Sequence, residues 1–112
     1  MNPNHWISTH VLDTSKGSPA EGIEVLLEIQ KNQHWVEVSR GKTNSDGRHA
    51  FECERTEGTY RLTFEILPYL EKTQSEFFFL SAPVIFKISN LGRKYHVPLL
   101  LNPFGYSTYR GS

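Results

Sequence analysis

The chain has 112 residues, enough for one domain with a modest core that contacts between subunits would help to stabilise. Lys plus Arg and Asp plus Glu both number 12, so no field of one sign gathers nucleic acid or anionic lipid. Aromatic residues make up 12%, which points to an ordered fold, and the single cysteine, Cys53, closes no intrachain disulfide and fits a reducing compartment.

The opening stretch MNPNHWISTHVLD has no basic region followed by an apolar one, so no secretory signal is expected. The longest apolar run is far too short to cross a bilayer. The final Arg110-Gly111-Ser112 is not the Ser-Lys-Leu peroxisomal address. The expectation is a soluble cytoplasmic protein with no membrane partner.

Period-two alternation runs through the chain. In HWISTHVLD, Ile7, Thr9 and Val11 alternate with Trp6, Ser8, His10 and Leu12. GIEVLLEIQ places Ile23, Val25, Leu27 and Ile29 on one face of a second strand, and HWVEVSRGK reads as a third, with a hairpin at KNQ. TNSDGR is a turn by composition, and HAFEC a short strand. TYRLTFEI turns Tyr60, Leu62, Phe64 and Ile66 inward. LPYLEK predicts a short helix with Pro68 near its start. APVIFKIS and KYHVPLLL follow as strands separated by an NLGR turn, and FGYSTYR forms the last strand. Pro98 inside its strand implies an edge position or a local bulge. About eight mostly antiparallel strands in two sheets with one short helix make an all-β sandwich, a single domain over residues 1–112.

Five histidines, His5, His10, His34, His49 and His96, are the first pool for proton transfer, because imidazole titrates near neutrality. Any one of them reads blandly as a half-exposed strand residue. His10 and His96 stand apart because each lies on an outer sheet face beside an apolar neighbour, Leu12 or Leu100. A titratable and apolar outer face suggests a surface covered by another subunit, where water is excluded. Arg48, just past the turn, is either a solvated charge or a planar clamp for a carbonyl-rich anion.

No His-x-His, paired cysteines or helical His-x-x-x-Glu supports a metal site. A triad of Ser8, His10 and Asp13 fails because Asp13 falls on the opposite face of a regular strand, and no Gly-x-Ser-x-Gly elbow is present. Cys53 reads as a small buried residue, and SDGR as a turn rather than a phosphate loop.

The ordered set THVLD…GSPA, TNSDGR and YHVPLLLNPFGYSTYRGS resembles the 5-hydroxyisourate hydrolases, the transthyretin-related enzymes of purine breakdown, from about His5 to Ser112. Transthyretin, the related hormone carrier, has lysine, glutamate and threonine in place of His10, Arg48 and His96, and lacks the Tyr-Arg-Gly-Ser ending. The resemblance implies a transthyretin-like sandwich assembled as a homotetramer, a dimer of dimers, with sites lining a central channel at the dimer–dimer interface. It implies hydrolysis of 5-hydroxyisourate to 2-oxo-4-hydroxy-4-carboxy-5-ureidoimidazoline in urate catabolism, with no metal and no organic cofactor.

Carried over residue by residue, the catalytic set is His10, Arg48, His96 and Ser112, with Tyr109, Arg110 and Leu12 shaping the substrate channel. One histidine would take a proton from water and the other would orient water or substrate and protonate the leaving nitrogen. Arg48 would hold carbonyl oxygens, and Ser112 would contact substrate or water through its hydroxyl or carboxylate. Which histidine is the base stays open at this point. The alternatives are a transthyretin-like carrier of a small aromatic ligand, which would leave substrate decay at its uncatalysed rate, and a purely structural interaction domain.

Overall fold

The computed structural model describes residues 4–112, so Met1 to Pro3 of the expected domain and of its opening stretch lie outside it. Two sheets enclose one apolar core. The first carries β1 (Ile7–Asp13), β2 (Ser18–Pro19), β5 (Arg48–Phe51), β8 (Tyr95–Asn102) and β9 (Gly105–Thr108). The second runs in the order β4 (His34–Lys42), β3 (Glu24–Lys31), β6 (Gly58–Glu65), β7 (Ala82–Ile88). One short helix, α1 (Ile66–Lys72), follows β6 directly. The all-β sandwich expected from alternation is the fold observed.

The alternation is what builds the core. Val25 and Leu27 of β3, Leu62 and Phe64 of β6, and Ile7 and Val11 of β1 are fully buried, alternating with residues on the other face, and buried Thr9 keeps the period between Ile7 and Val11. Burying a side chain of this size is worth roughly 1.5–3 kcal/mol, so the pattern decides which face turns inward. The β3–β4 hairpin turns at Asn32 and Gln33, whose φ values of 51° and 68° are the left-handed pair that a tight hairpin requires.

Two expectations need correcting. Trp6 does not join the outward set: it precedes β1, is only 1% exposed, and its indole N–H donates to the Cys53 carbonyl at 3.1 Å. Pro98 lies in an interior strand, because β8 pairs in parallel with β1 on one side and antiparallel with β9 on the other. Its missing N–H is tolerated because the β9 ladder stops at the Leu99–Thr108 pair and resumes only at the His96–Gly111 bridge. The hydroxyl of Thr108 donates to the Pro98 carbonyl at 2.7 Å across that gap.

Sheet edges and turns also fix the helix and the β1 exit. Asp13 ends β1 and is buried, its Oδ1 accepting from the Ser15 and Lys16 amides and the Ser15 hydroxyl, its Oδ2 from the Tyr69 hydroxyl of α1 at 2.8 Å. Burial pushes this carboxyl upward, yet the donors from Ser15, Tyr69 and Lys16 outweigh it and leave Asp13 below the ordinary value. The Tyr69 hydroxyl is pushed well up by the same burial and by the carboxylate beside it.

Candidate active site

The parallel pairing of β1 with β8 brings together segments almost ninety residues apart and sets Ser8 beside His96 and His10 beside Pro98. On the other edge of β1, His10 stands opposite Arg48 and Ser8 opposite Ala50. Ser8, His10, Leu12, His96 and Leu100 all fall on the half-buried outer face of the sheet, while Ile7, Thr9, Val11 and Val97 face the core. Three strands therefore deliver two imidazoles and a guanidinium to one surface.

Arg48 opens β5 because of the turn before it. Asn44 Oδ1 accepts the Asp46 amide at 2.9 Å and the Arg48 amide at 3.0 Å, and the Asn44 amide donates to the Arg48 carbonyl at 2.9 Å. Gly47 holds φ at 74°, and its carbonyl accepts the Val11 amide at 2.7 Å, which anchors the turn on β1. A Cβ at Gly47 would run into the Val11 carbonyl, so the turn requires glycine on two counts.

The tail after β9 folds back over the same face. The Gly111 amide donates to the His96 carbonyl at 2.7 Å, which places Ser112 at the rim of a cavity of about 460 Å³. Arg48 and His96 line that cavity with Ser8, Asn44 and Lys94. Of the catalytic set implied by resemblance, the cavity thus gathers Arg48, His96 and Ser112, while His10, the cross-strand partner of Arg48, is not among its lining residues.

The channel residues are placed otherwise in the single chain. Tyr109 and Arg110 line a second cavity of about 360 Å³, with Val84, Phe86, Arg93 and Tyr95. Leu12 lies along the outer face beyond His10, in register with Leu100. Ser8 and Asn44 are the residues that sequence reasoning missed. In the sequence Ser8 suggests only a nucleophile, and its link to His96 needs the β1–β8 register. Asn44 was visible only as turn composition.

The site electrostatics favour a neutral imidazole. Burial holds His96 below its ordinary pKa, and the charges of His10 and Arg48 push the same way, against an opposing hydrogen bond at Ser8. His49 is also lowered, by burial and then by His5, but it faces inward against Phe51 at 4.7 Å between ring centroids. Among the described residues no group of three or more His, Cys, Asp or Glu side chains is arranged to hold a metal ion, and no helix is long and apolar enough to cross a membrane. Cys53 is buried and its thiol is pushed up by that burial, so it offers no thiolate.

A β-sandwich with imidazoles and a guanidinium on one outer face defines a transthyretin-like protein fitted for acid–base chemistry. Residues 7–111 match the HIUase/Transthyretin family, and the chain belongs to that family. It is 44% identical to the 5-hydroxyisourate hydrolase of Salmonella dublin, over 97% of this chain and 82% of that protein. It is 40% identical to the mouse 5-hydroxyisourate hydrolase, over 95% of this chain and 94% of that one. The solved 5-hydroxyisourate hydrolase of Klebsiella pneumoniae superposes with a TM-score of 0.83 at 37% identity, covering 95% of this chain and 98% of that one. Sea bream transthyretin in complex with thyroxine superposes with a TM-score of 0.90 at 26% identity, covering 95% and 94%. The fold is therefore shared with a carrier, and the residues on the outer face must decide the chemistry.

Proposed function

We propose that this chain hydrolyses 5-hydroxyisourate to 2-oxo-4-hydroxy-4-carboxy-5-ureidoimidazoline in urate catabolism, as one domain working in the cytoplasm. The observation that carries this reading is the shared cavity of Arg48, His96 and Ser112, with His10 in register with Arg48. Three separate strands and the tail supply these groups, and a carrier of apolar ligands has no need of them.

Hydrolysis joins a water oxygen to a ring carbonyl carbon and breaks the adjacent C–N bond, opening the six-membered ring. One imidazole takes the water proton. The electron pair of the broken bond stays on nitrogen, which takes a proton back. A positioned base contributes about 10²–10⁴-fold to such a step. Arg48 stabilises the oxyanion that develops on the attacked carbonyl, a contribution worth roughly 10²–10³-fold when one donor is removed. Ser112 contacts substrate or water at the rim, and no cofactor is called on.

The working form on this reading is a homotetramer, a dimer of dimers, in which outer sheet faces meet and exclude water from the cavity. Support comes from apolar groups on the single chain that such contacts would cover: Leu12 and Leu100 are half-buried on the site face, and Ile85, Tyr109 and Phe78 are 61%, 58% and 71% exposed elsewhere. Leu12, Tyr109 and Arg110 would then shape the channel between subunits. Light scattering under assay conditions tests the assembly, and a purely monomeric active protein would contradict it.

The activity is tested by generating 5-hydroxyisourate in the cuvette and following its absorbance. Decay accelerated by micromolar protein is the expected result. Decay at the uncatalysed rate would leave only a carrier or an interaction domain.

A further inference from the structure

The two histidines are not equivalent, because His96 is held from two sides. On one side, Ser8 Oγ and His96 Nδ1 lie 2.9 Å apart, within hydrogen-bond reach. On the other, Gly111 presses on the ring: a Cβ built there would lie 2.6 Å from His96 Cδ2 and 3.3 Å from Cγ. The hydrogen bond that the Gly111 amide donates to the His96 carbonyl holds this contact in place. With Nδ1 taken by Ser8, the nitrogen left for the cavity is Nε2.

We propose that Ser8 is a positioning residue for this reaction, accepting a hydrogen bond from Nδ1–H of His96 so that Nε2 faces the cavity bare and acts as the general base. The geometry sets the pairing, and the needs of a base at Nε2 set its direction. Ser8 follows the β1–β8 register, so its hydroxyl and backbone both lie alongside the ring. For Nε2 to accept a proton from water, the one N–H of the neutral imidazole must sit on Nδ1, the nitrogen that Ser8 Oγ faces.

This assigns the base among the two histidines. His96 Nε2 takes the proton of the attacking water as the O–C bond forms. When the C–N bond breaks, its electron pair remains on nitrogen and the proton passes to that nitrogen, with His10 across the strand from Arg48 placed to assist. The Ser8 bond stabilises the intervening imidazolium and keeps the ring from turning. The inference rests on the hydrolase reading for its chemistry, but the bond itself can be read without substrate.

The experiment has two parts on the full chain. Long-range proton–nitrogen correlation spectra of the ¹⁵N-histidine protein, with His96 assigned by comparison with His96→Gln, report which ring nitrogen carries hydrogen. The wild type is expected to show Nε2 unprotonated above the titration of the ring. Ser8→Ala should move His96 toward the Nε2–H form that free imidazole favours in water, and Ser8→Thr should keep the wild-type pattern. Hydrolysis is then measured on the same samples. Ser8→Ala should lower kcat on the order of tenfold to a hundredfold with little change in KM, a part of the roughly 10²–10⁴-fold due to a positioned base. Ser8→Thr should stay within a few-fold of wild type.

A wild-type His96 protonated at Nε2 would overturn the proposal, as would a Ser8→Ala protein with unchanged tautomer and unchanged kcat. A wild type that shows the locked ring but no hydrolysis would overturn the hydrolase reading while supporting the ring assignment.

Discussion

Gly111 and His96 form a clasp: the amide of one donates to the carbonyl of the other at 2.7 Å, and the glycine has no side chain because the imidazole occupies that space. The tail is thus bound to the residue proposed as the base. Gly111→Ala must displace either the ring or the tail, since a Cβ would lie 2.6 Å from Cδ2. It is expected to lower hydrolysis about tenfold or more while thermal melting changes little. Gly105→Ala is the control, because a Cβ there meets nothing nearer than Asn102 at 3.9 Å, and it should retain wild-type activity.

The turn at Asn44 provides the second prediction. Its side-chain oxygen accepts two amides, including that of Arg48. Asn44→Ala frees both donors to water and is expected to cost about 1 kcal/mol of stability. It should also reduce kcat/KM several-fold by loosening the strand start that presents Arg48. Urea unfolding and steady-state kinetics on one sample check both. An Asn44→Ala protein with wild-type kcat/KM would show that the turn does not position the guanidinium.

The pH dependence has a definite sign. Burial and the nearby positive charges lower His96 from 6.5, so it stays neutral, and able to accept a proton, at pH values where an ordinary histidine is half charged. The acid limb of kcat/KM is therefore expected below 6.5 and not above it. Stability follows the same groups. His96 and His49 bind protons less readily folded than unfolded, so their contribution is fully present above the unfolded value of 6.5. As pH falls below 6.5 the unfolded chain takes up protons that the fold resists, and stability declines until the lowered folded values are passed. Urea midpoints between pH 8 and pH 5, read against values for ordinary histidine, should fall with acidity. A midpoint independent of pH across that window would contradict the assignment of these two rings as held neutral.

Asp13 carries a prediction for the scaffold alone. Its carboxylate is buried and accepts the Tyr69 hydroxyl at 2.8 Å. Tyr69→Phe removes one donor to a charged acceptor and should cost about 1.5–3 kcal/mol near neutral pH. The difference from wild type should shrink as pH drops below 3.8, where the unfolded carboxyl is protonated and the native one follows at its lowered value. Hydrolysis at neutral pH should be unaffected once the protein is folded.

Much of the fold was legible in the residues. The inward sets Val25, Leu27 and Ile29 of β3 and Tyr60, Leu62 and Phe64 of β6 are buried because a two-residue period leaves a strand only one apolar face, and Ile23 just before β3 and Ile66 at the start of α1 are buried with them. The outward placement of His10 and His96 could be read from the same alternation. What stayed hidden depends on pairing between distant segments. Nothing local in Ser8 says that it lies beside His96, since the parallel β1–β8 ladder joins residues 88 positions apart. Pro98 pointed to an edge or a local bulge, whereas the fold accommodates it in an interior strand by a break in the neighbouring ladder. Trp6 was misplaced because the alternation was carried one residue before the strand begins. The resemblance supplied the candidate set, and the register explains why His10, Arg48 and His96 share one outer face.

The central claim is that His96, Arg48 and the tail together make a hydrolytic site. Its most direct measurement is the first-order decay of freshly generated 5-hydroxyisourate with equal concentrations of wild type, His96→Ala and Arg48→Ala, each first verified as folded by circular dichroism. The account predicts rapid decay with wild type and a loss on the order of 10²-fold or more in each variant. Wild-type decay at the uncatalysed rate, or folded His96→Ala and Arg48→Ala proteins as fast as wild type, would contradict it.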